Sequence, residues 1–218
     1  MSRLKKSFPP VISLLIGIII GILVAVAISA VSGRFFFQRT PVVNYASAEL
    51  SNAELTAIAF SVVSHIKSGD YSELSRIVHP DLGVVFSPYA TVNFSTNRRF
   101  SAEQVSMFAT DSTSYVWGIY DGSGEPIEMT PSSYFAEFVF SRNYCESTII
   151  GVNRIIKSGN ALENITEMFP GVKFVEFHIP GGEKDSLEEL DWGSLRLGFE
   201  EMDGRLWLTV IQNSRWTI

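Results

Sequence analysis

From Ser7 to Gly33 the chain holds no charged side chain. As a helix, the apolar centre from Val11 to Val31 would be about 31 Å long at ~1.5 Å per residue, the thickness of a bilayer's hydrocarbon core. Such a run cannot be the surface of a soluble domain. It must be buried in protein, cross a membrane or be removed. Two readings compete. A cleaved signal peptide would use the small residues Ala25-Val26-Ala27 or Ala27-Ile28-Ser29. An uncleaved signal-anchor fits the length better, because the run exceeds the usual signal-peptide core of ~7–15 residues. Arg3, Lys5 and Lys6 precede it, whereas Arg34 and Arg39 follow. The positive-inside rule then leaves the N-terminus in the cytoplasm and the rest outside. No cysteine lies at the end of the run, which argues against a lipoprotein anchor.

The expected organisation is a basic cytoplasmic tail (1–10), a transmembrane signal-anchor (11–33), a tether (34–48) and one extracytoplasmic domain (49–218). The whole chain carries −6, but residues 1–34 hold four basic residues and no acidic one. The remainder has 13 Lys and Arg against 23 Asp and Glu, a net −10. Nucleic acid and anionic headgroups both demand basic surface, so neither is an expected partner. The membrane, through 11–33, is one. A cell-envelope protein or a small molecule is the other. Cys145 is the only cysteine. No internal disulfide can form, and a cysteine zinc site is excluded. Beside Tyr144 and Ile149-Ile150, Cys145 reads as a small buried hydrophobe.

The domain alternates helix and strand signals. Ser51-Asn52-Ala53-Glu54 fits a capping box before Leu55, Ile58, Ala59, Val62, Val63 and Ile66, an apolar stripe at helical spacing that Gly69 ends. A short helix from Tyr71 to Val78 stops at His79-Pro80. Val84–Phe94 reads as one or two strands broken at Ser87-Pro88. Ser101-Ala102-Glu103-Gln104 is a second capping box. Ser114–Tyr120 is a strand, Asp121–Gly124 a turn, and Thr130-Pro131 a helix start that turns Phe135, Phe138 and Val139 inward. Strands follow at Thr148–Ile156 and Val172–Ile179, with a loop and one helical turn between. Asp203-Gly204 is a hairpin turn between Ser194–Glu201 and Leu206–Trp216.

Pairing across that turn sets Met202 against Arg205, Phe199 against Leu208 and Leu197 against Val210. Leu195, Leu197, Phe199, Leu208 and Val210 would then share the core face. Arg196, Glu200, Trp207 and Ile211 would share the other, either a solvated face partly covered by a helix or the wall of a cavity.

The segment Ile66-Lys67-Ser68-Gly69-Asp70-Tyr71, with Leu74 and Val78, resembles the helix–turn–helix opening of the NTF2-like (SnoaL-like) cone fold. The element order from Ser51 to Ile218 is similar too. The resemblance implies an α+β fold, a curved antiparallel sheet packed on helices around an open pocket. Val78-His79-Pro80, Phe86-Ser87-Pro88-Tyr89, Trp117–Gly122 and Trp216-Thr217-Ile218 also resemble segments of an uncharacterised family of exported, membrane-anchored bacterial proteins. Cone-fold proteins include enzymes, ligand binders and assembly modules, so function has to come from a site.

No motif supplies a complete catalytic set. His-x-x-x-His and Gly-x-Ser-x-Gly are absent. Asp121-Gly122-Ser123-Gly124-Glu125 lacks the alternating acids of a calcium loop and the lysine of a phosphate loop, which leaves a turn. Among the histidines, His65 falls at the rim of the first helix and His79 can meet the last carbonyls of the second. His178 shares a strand face with Glu176 about 7 Å away. A carboxylate beside an imidazole suits general-base chemistry, and it also suits a half-exposed strand. Mixed polar and aromatic faces mark Trp117, Tyr120, Glu176, His178, Arg196 and Trp207 as candidate ligand-binding residues. Glu176, His178 and Arg196 should share one side of the sheet, with Trp117 or Tyr120 near them. No metal or other cofactor is expected. The leading reading is a non-catalytic extracytoplasmic binding domain. The rival is a hydrolase or isomerase that uses Glu176 and His178 in a cone pocket.

Overall fold

The computed structural model describes residues 46–183 and 187–217. The expected tail, signal-anchor and most of the tether lie outside them. Among the described residues, no helix is long and apolar enough to cross a membrane.

The fold is mixed α+β. Helix α1 spans Ala46–Ser68. It runs straight through Ser51, so the expected cap there is a helical residue and the helix starts at Ala46, six residues before the expected Asn52. The apolar stripe holds: Leu55, Ala59, Val62, Val63 and Ile66 are buried, and Ile58 packs against them. Gly69, at φ +68°, ends the helix. Its N–H bonds to the Ile66 carbonyl and the Asp70 N–H reaches back to His65, the two bonds of a Schellman motif. Asp70 then caps α2 (Tyr71–Ser75) by accepting from the Glu73 N–H at 3.1 Å.

A six-stranded curved sheet forms the body. Its strands are β1 (Val84–Ser87), β2 (Arg98–Phe100), β5 (Ile149–Val152), β6 (Lys173–Ile179), β7 (Gly193–Met202) and β8 (Arg205–Arg215), in the order β2-β1-β8-β7-β6-β5. All neighbours are antiparallel except β1 and β8. A separate hairpin pairs β3 (Tyr115–Ile119) with β4 (Pro126–Met129). The sequence signals for β2 and β4 are too short to separate from loop. The Ser101 capping box opens α3 (Ala102–Ser106) with both of its hydrogen bonds in place. Thr130 caps α4 (Pro131–Tyr134), which runs on as a π-helical turn, Phe135–Val139. Phe135, Phe138 and Val139 are buried, as their spacing requires. A last short helix, α5, spans Ile165–Met168.

The β7–β8 turn has Asp203 at φ +55° and Gly204 at φ +72°, the paired positive angles of a type I′ turn. Met202 pairs with Arg205 and Phe199 with Leu208, as expected. Beyond that point the register slips. Gly198 faces Val210, so Thr209 is an extra residue, and Leu197 faces Ile211 instead of Val210. One inserted residue reverses every later side chain. Ile211 therefore joins the main core with Leu195, Leu197, Phe199 and Leu208, while Val210 turns to the other face. The expected places of these two residues are exchanged.

Neither face of the sheet is bare. The main core lies against α1, α2, α3 and an aromatic cluster in which the Trp117 and Tyr134 rings stack at 3.9 Å. On the far face Ile165, Phe169 and Val172 cover Val85, Phe174 and Val210. Residues 153–164 close the rest of that face, where the charged side chains sit.

Candidate functional site

The sequence brings six candidate residues forward, and the structure distributes them over four places. Glu176, His178 and Arg196 do share one face of the sheet. Glu176 is the cross-strand partner of Arg196, and His178 that of Ser194. Trp117 is fully buried in the core on the opposite side, with its indole N–H donating to the Met129 carbonyl at 2.8 Å. Trp207 lies at the hairpin end of the sheet, under the Arg205 guanidinium at 3.9 Å. Tyr120 lines a cleft at the tip of the β3–β4 hairpin. Of the two aromatics expected near the trio, Trp117 or Tyr120, Trp117 lies across the sheet from it, because the trio faces away from the aromatic core.

The charged trio is sealed. The side chains of Arg196 and Glu176 have no exposed surface. A guanidinium carries five N–H donors, and here all five are used. Nε donates to Glu176 Oε2 at 2.8 Å. Nη1 donates to a Glu163 oxygen and to Gln212 Oε1. Nη2 donates to the Lys157 carbonyl at 3.1 Å and to Glu163 Oε1 at 3.0 Å. Glu176 in turn accepts the backbone N–H groups of Ile156 and Lys157. The network thus fastens residues 156–163 across the sheet. His178 is 6% exposed and bonds through Nδ1 to the buried Ser194 hydroxyl at 2.9 Å. Burial holds its imidazole below the usual histidine range; the Glu176 carboxylate opposes that shift, and Lys157 and Arg196 add to it. A serine beside a histidine resembles part of a nucleophilic pair, but Ser194 has no exposed surface to offer a substrate.

The other two histidines are also structural. His65 bonds to Ser61 at 3.1 Å on the rim of α1. His79 does not donate to helix carbonyls, as its position suggests. Its Nδ1 accepts the N–H groups of Asp81 and Leu82, capping the turn that follows. Cys145 is partly buried, its thiol 3.8 Å from the Val63 carbonyl. Among the described residues, no cluster of His, Cys, Asp and Glu could hold a metal ion.

Sequence reasoning did not single out one open cleft. A cleft of about 510 Å³ lies between the loop after β1, the tip of the β3–β4 hairpin and residues 160–161. That volume is within the ~300–1,000 Å³ of small-molecule clefts. Tyr89, Tyr120, Asn93, Asn97 and Asp121 supply its polar groups, and Pro88 and Ile119 its apolar ones. Both tyrosine rings rest on Phe138, at centroid distances of 6.0 and 6.3 Å. The π-helical turn delivers Phe138 to that point. Gly118 lets β3 approach, since a Cβ there would lie 2.9 Å from the Pro88 ring. Thr217 locks the rim: its hydroxyl bonds to Asp121, and the Asn160 amide donates to its carbonyl at 2.7 Å. The signal was present in pieces. Phe86–Tyr89, Trp117–Gly122 and Trp216-Thr217, three of the segments singled out in the sequence, converge on this cleft. Reading Asp121–Gly124 as a turn was right, but it hid what the turn lines.

Compared with known proteins, the chain matches no family model, no curated protein and no solved structure.

Proposed function

We propose that this chain is a non-catalytic binding domain, held outside the cell by an N-terminal signal-anchor, with the Tyr89–Tyr120 cleft as its ligand site. The observation that carries this reading is a contrast in how polar groups are used. Every donor of Arg196 is consumed within the fold. The hydroxyls of Tyr89 and Tyr120 and the Nδ2 groups of Asn93 and Asn97, by contrast, make no hydrogen bond among the described residues. Glu176, Arg196 and Glu163 act in this reading as a clamp that fixes residues 156–163, which end at the cleft wall. The cone-fold resemblance belongs to the same proposal, because such a fold leaves an open pocket at one end of a curved sheet.

The test of the site uses the full chain in a detergent without a sugar headgroup, titrated with cell-envelope fragments and followed by NMR. Fragments should shift the Asn97 side-chain amide and the Gly122 and Gly124 backbone amides, and leave the His178 ring unmoved. A fragment that moves the His178 ring and is chemically converted would establish the enzyme reading instead. The test of the anchor is protease added to intact, wall-stripped cells. Residues after Gly33 should be degraded while the anchor stays with the membranes. Full protection, or release of a form beginning near Ile28–Ser32, would overturn it.

A further inference from the structure

We propose that the cleft takes a neutral pyranose oligosaccharide, an inference that rests on the binding reading above. Charge comes first. Asp121 is the one ionisable carboxylate in the lining, and Lys, Arg and His are absent from it. No cationic side chain lines the cleft to meet an anionic ligand, the nearby Arg215 guanidinium being stacked on the Tyr89 and Phe138 rings at 5.9 and 4.8 Å, and residues 35–218 already carry −10. Asp121 itself is occupied by the Gly122 N–H and the Thr217 hydroxyl, so it is poorly placed to draw in a cation. A neutral ligand is what remains.

The second argument is the kind of polar group on offer. Tyr hydroxyls and Asn amides each pair a donor with an acceptor, which matches sugar hydroxyls that also do both. Two phenol hydroxyls and the Nδ2 donors of two amides, whose oxygens already accept backbone N–H groups, stand free around two apolar patches, the Pro88 ring and Ile119, the latter 41% exposed. A pyranose has the same alternation, C–H faces bounded by an equatorial belt of hydroxyls. The third argument is rigidity. Tyr89 and Tyr120 lean on Phe138, and Asn97 Oδ1 is tied to the Asn93 N–H at 2.7 Å, so its Nδ2 has a fixed direction. Fixed groups lose little entropy when a ligand arrives. Burial, reinforced by the Glu137 carboxylate and Tyr89 and opposed by the Arg215 guanidinium, holds the Tyr120 phenol above its usual range, so it stays a neutral donor.

The experiment is calorimetric titration of the full chain, in a detergent without a sugar headgroup, with four probes: cellotetraose, the tetramer of N-acetylglucosamine, tetragalacturonate and a neutral tetrapeptide. At least one neutral tetrasaccharide should bind, and the acidic one at least about tenfold more weakly. Comparing the two neutral probes separates a plain glucan from an N-acetylated glycan. The double variant Tyr89→Phe/Tyr120→Phe keeps both rings on Phe138 and removes the hydroxyls; it should weaken binding about tenfold or more, from two hydrogen bonds of ordinary worth. Ile119→Lys changes only an exposed side chain and should abolish binding in the cleft. Unaltered melting temperatures would establish that both variants fold. If the tetrapeptide binds, is lost in Ile119→Lys and no saccharide binds, the binding reading survives and the saccharide assignment is overturned. If a saccharide binds equally to Ile119→Lys, the assignment of the cleft is overturned. If none of the probes binds and envelope fragments leave the cleft amides unshifted, both readings fall together.

Discussion

Arg196→Met is the sharpest test of the sealed network. Methionine is similar in length and apolar, so the space stays filled while the five donors go. What remains is Glu176, with no exposed surface, holding only the N–H groups of Ile156 at 3.1 Å and Lys157 at 3.4 Å. Glu163 is 15% exposed and can turn to water, so its loss costs little. One buried carboxylate stripped of its partner costs about 3–5 kcal/mol. For a domain of this size each kcal/mol lowers Tm by roughly 2–4 °C, so a fall of about 6–20 °C is expected. Adding Glu176→Gln to Arg196→Met should recover about 1–3 kcal/mol. It removes the orphaned charge yet still accepts one backbone N–H. Thermal unfolding of the full chain measures both. Hydrogen exchange adds a local reading, because the Ile156 and Lys157 amides should exchange faster in Arg196→Met. A loss under about 1 kcal/mol, or a double variant worse than the single, would refute the claim that the network is a clamp.

Phe199→Ala, at a fully buried position facing Leu208, should cost about 3–5 kcal/mol by opening a cavity, read from the same melts. Gly204→Val has free space for its side chain, so its cost is the backbone's: about 1–2 kcal/mol for holding a branched residue at φ +72°. His178 is held below its unfolded range by burial, so the unfolded chain binds a proton more readily than the native one. Its contribution to stability is therefore whole above pH ~6.5 and fades as pH falls below that value. His178→Gln should flatten this part of the stability–pH curve, and an unchanged slope between pH 7.5 and 5.5 (about one unit either side of that value) would refute the assignment.

The helices and the closing hairpin were legible because each is written in local chemistry. Gly69, Ser101, Thr130-Pro131 and Asp203-Gly204 act within a few residues of themselves, and all do what their types dictate. The misreadings are non-local. Ser51 satisfies a capping pattern, but a helix starts where the chain before it ceases to be helical, and Ala46 already is. Thr209 carries no mark of a bulge. It is extra only because Gly198 faces Val210, whose methyl group a Cβ at 198 would meet at 2.5 Å. Register after that point depended on packing between two strands, and no period-two count along either strand contains it.

The burial of the charged trio went unread for a related reason. Alternation of charge and aromatic residues on a strand says that a face is not ordinary core; it does not say what covers the face. Phe174, Glu176 and His178 fit a wetted pocket as well as they fit a lid that supplies its own partners. The partners here are Glu163, the Lys157 carbonyl and the Ile156 and Lys157 N–H groups. All lie in a stretch read as strand end and loop, and two of the three kinds are backbone, invisible as residue types. A lid that satisfies charge so completely removes it from chemistry. The converse holds at the cleft. Asn93, Asn97, Tyr89 and Tyr120 are unremarkable in sequence, because amides and phenols are common in turns. They gain meaning only where the fold leaves them unpaired beside apolar surface. Unspent hydrogen-bonding capacity on a rigid rim is thus what the cleft proposal rests on, whereas the charge of the trio is spent inside the fold.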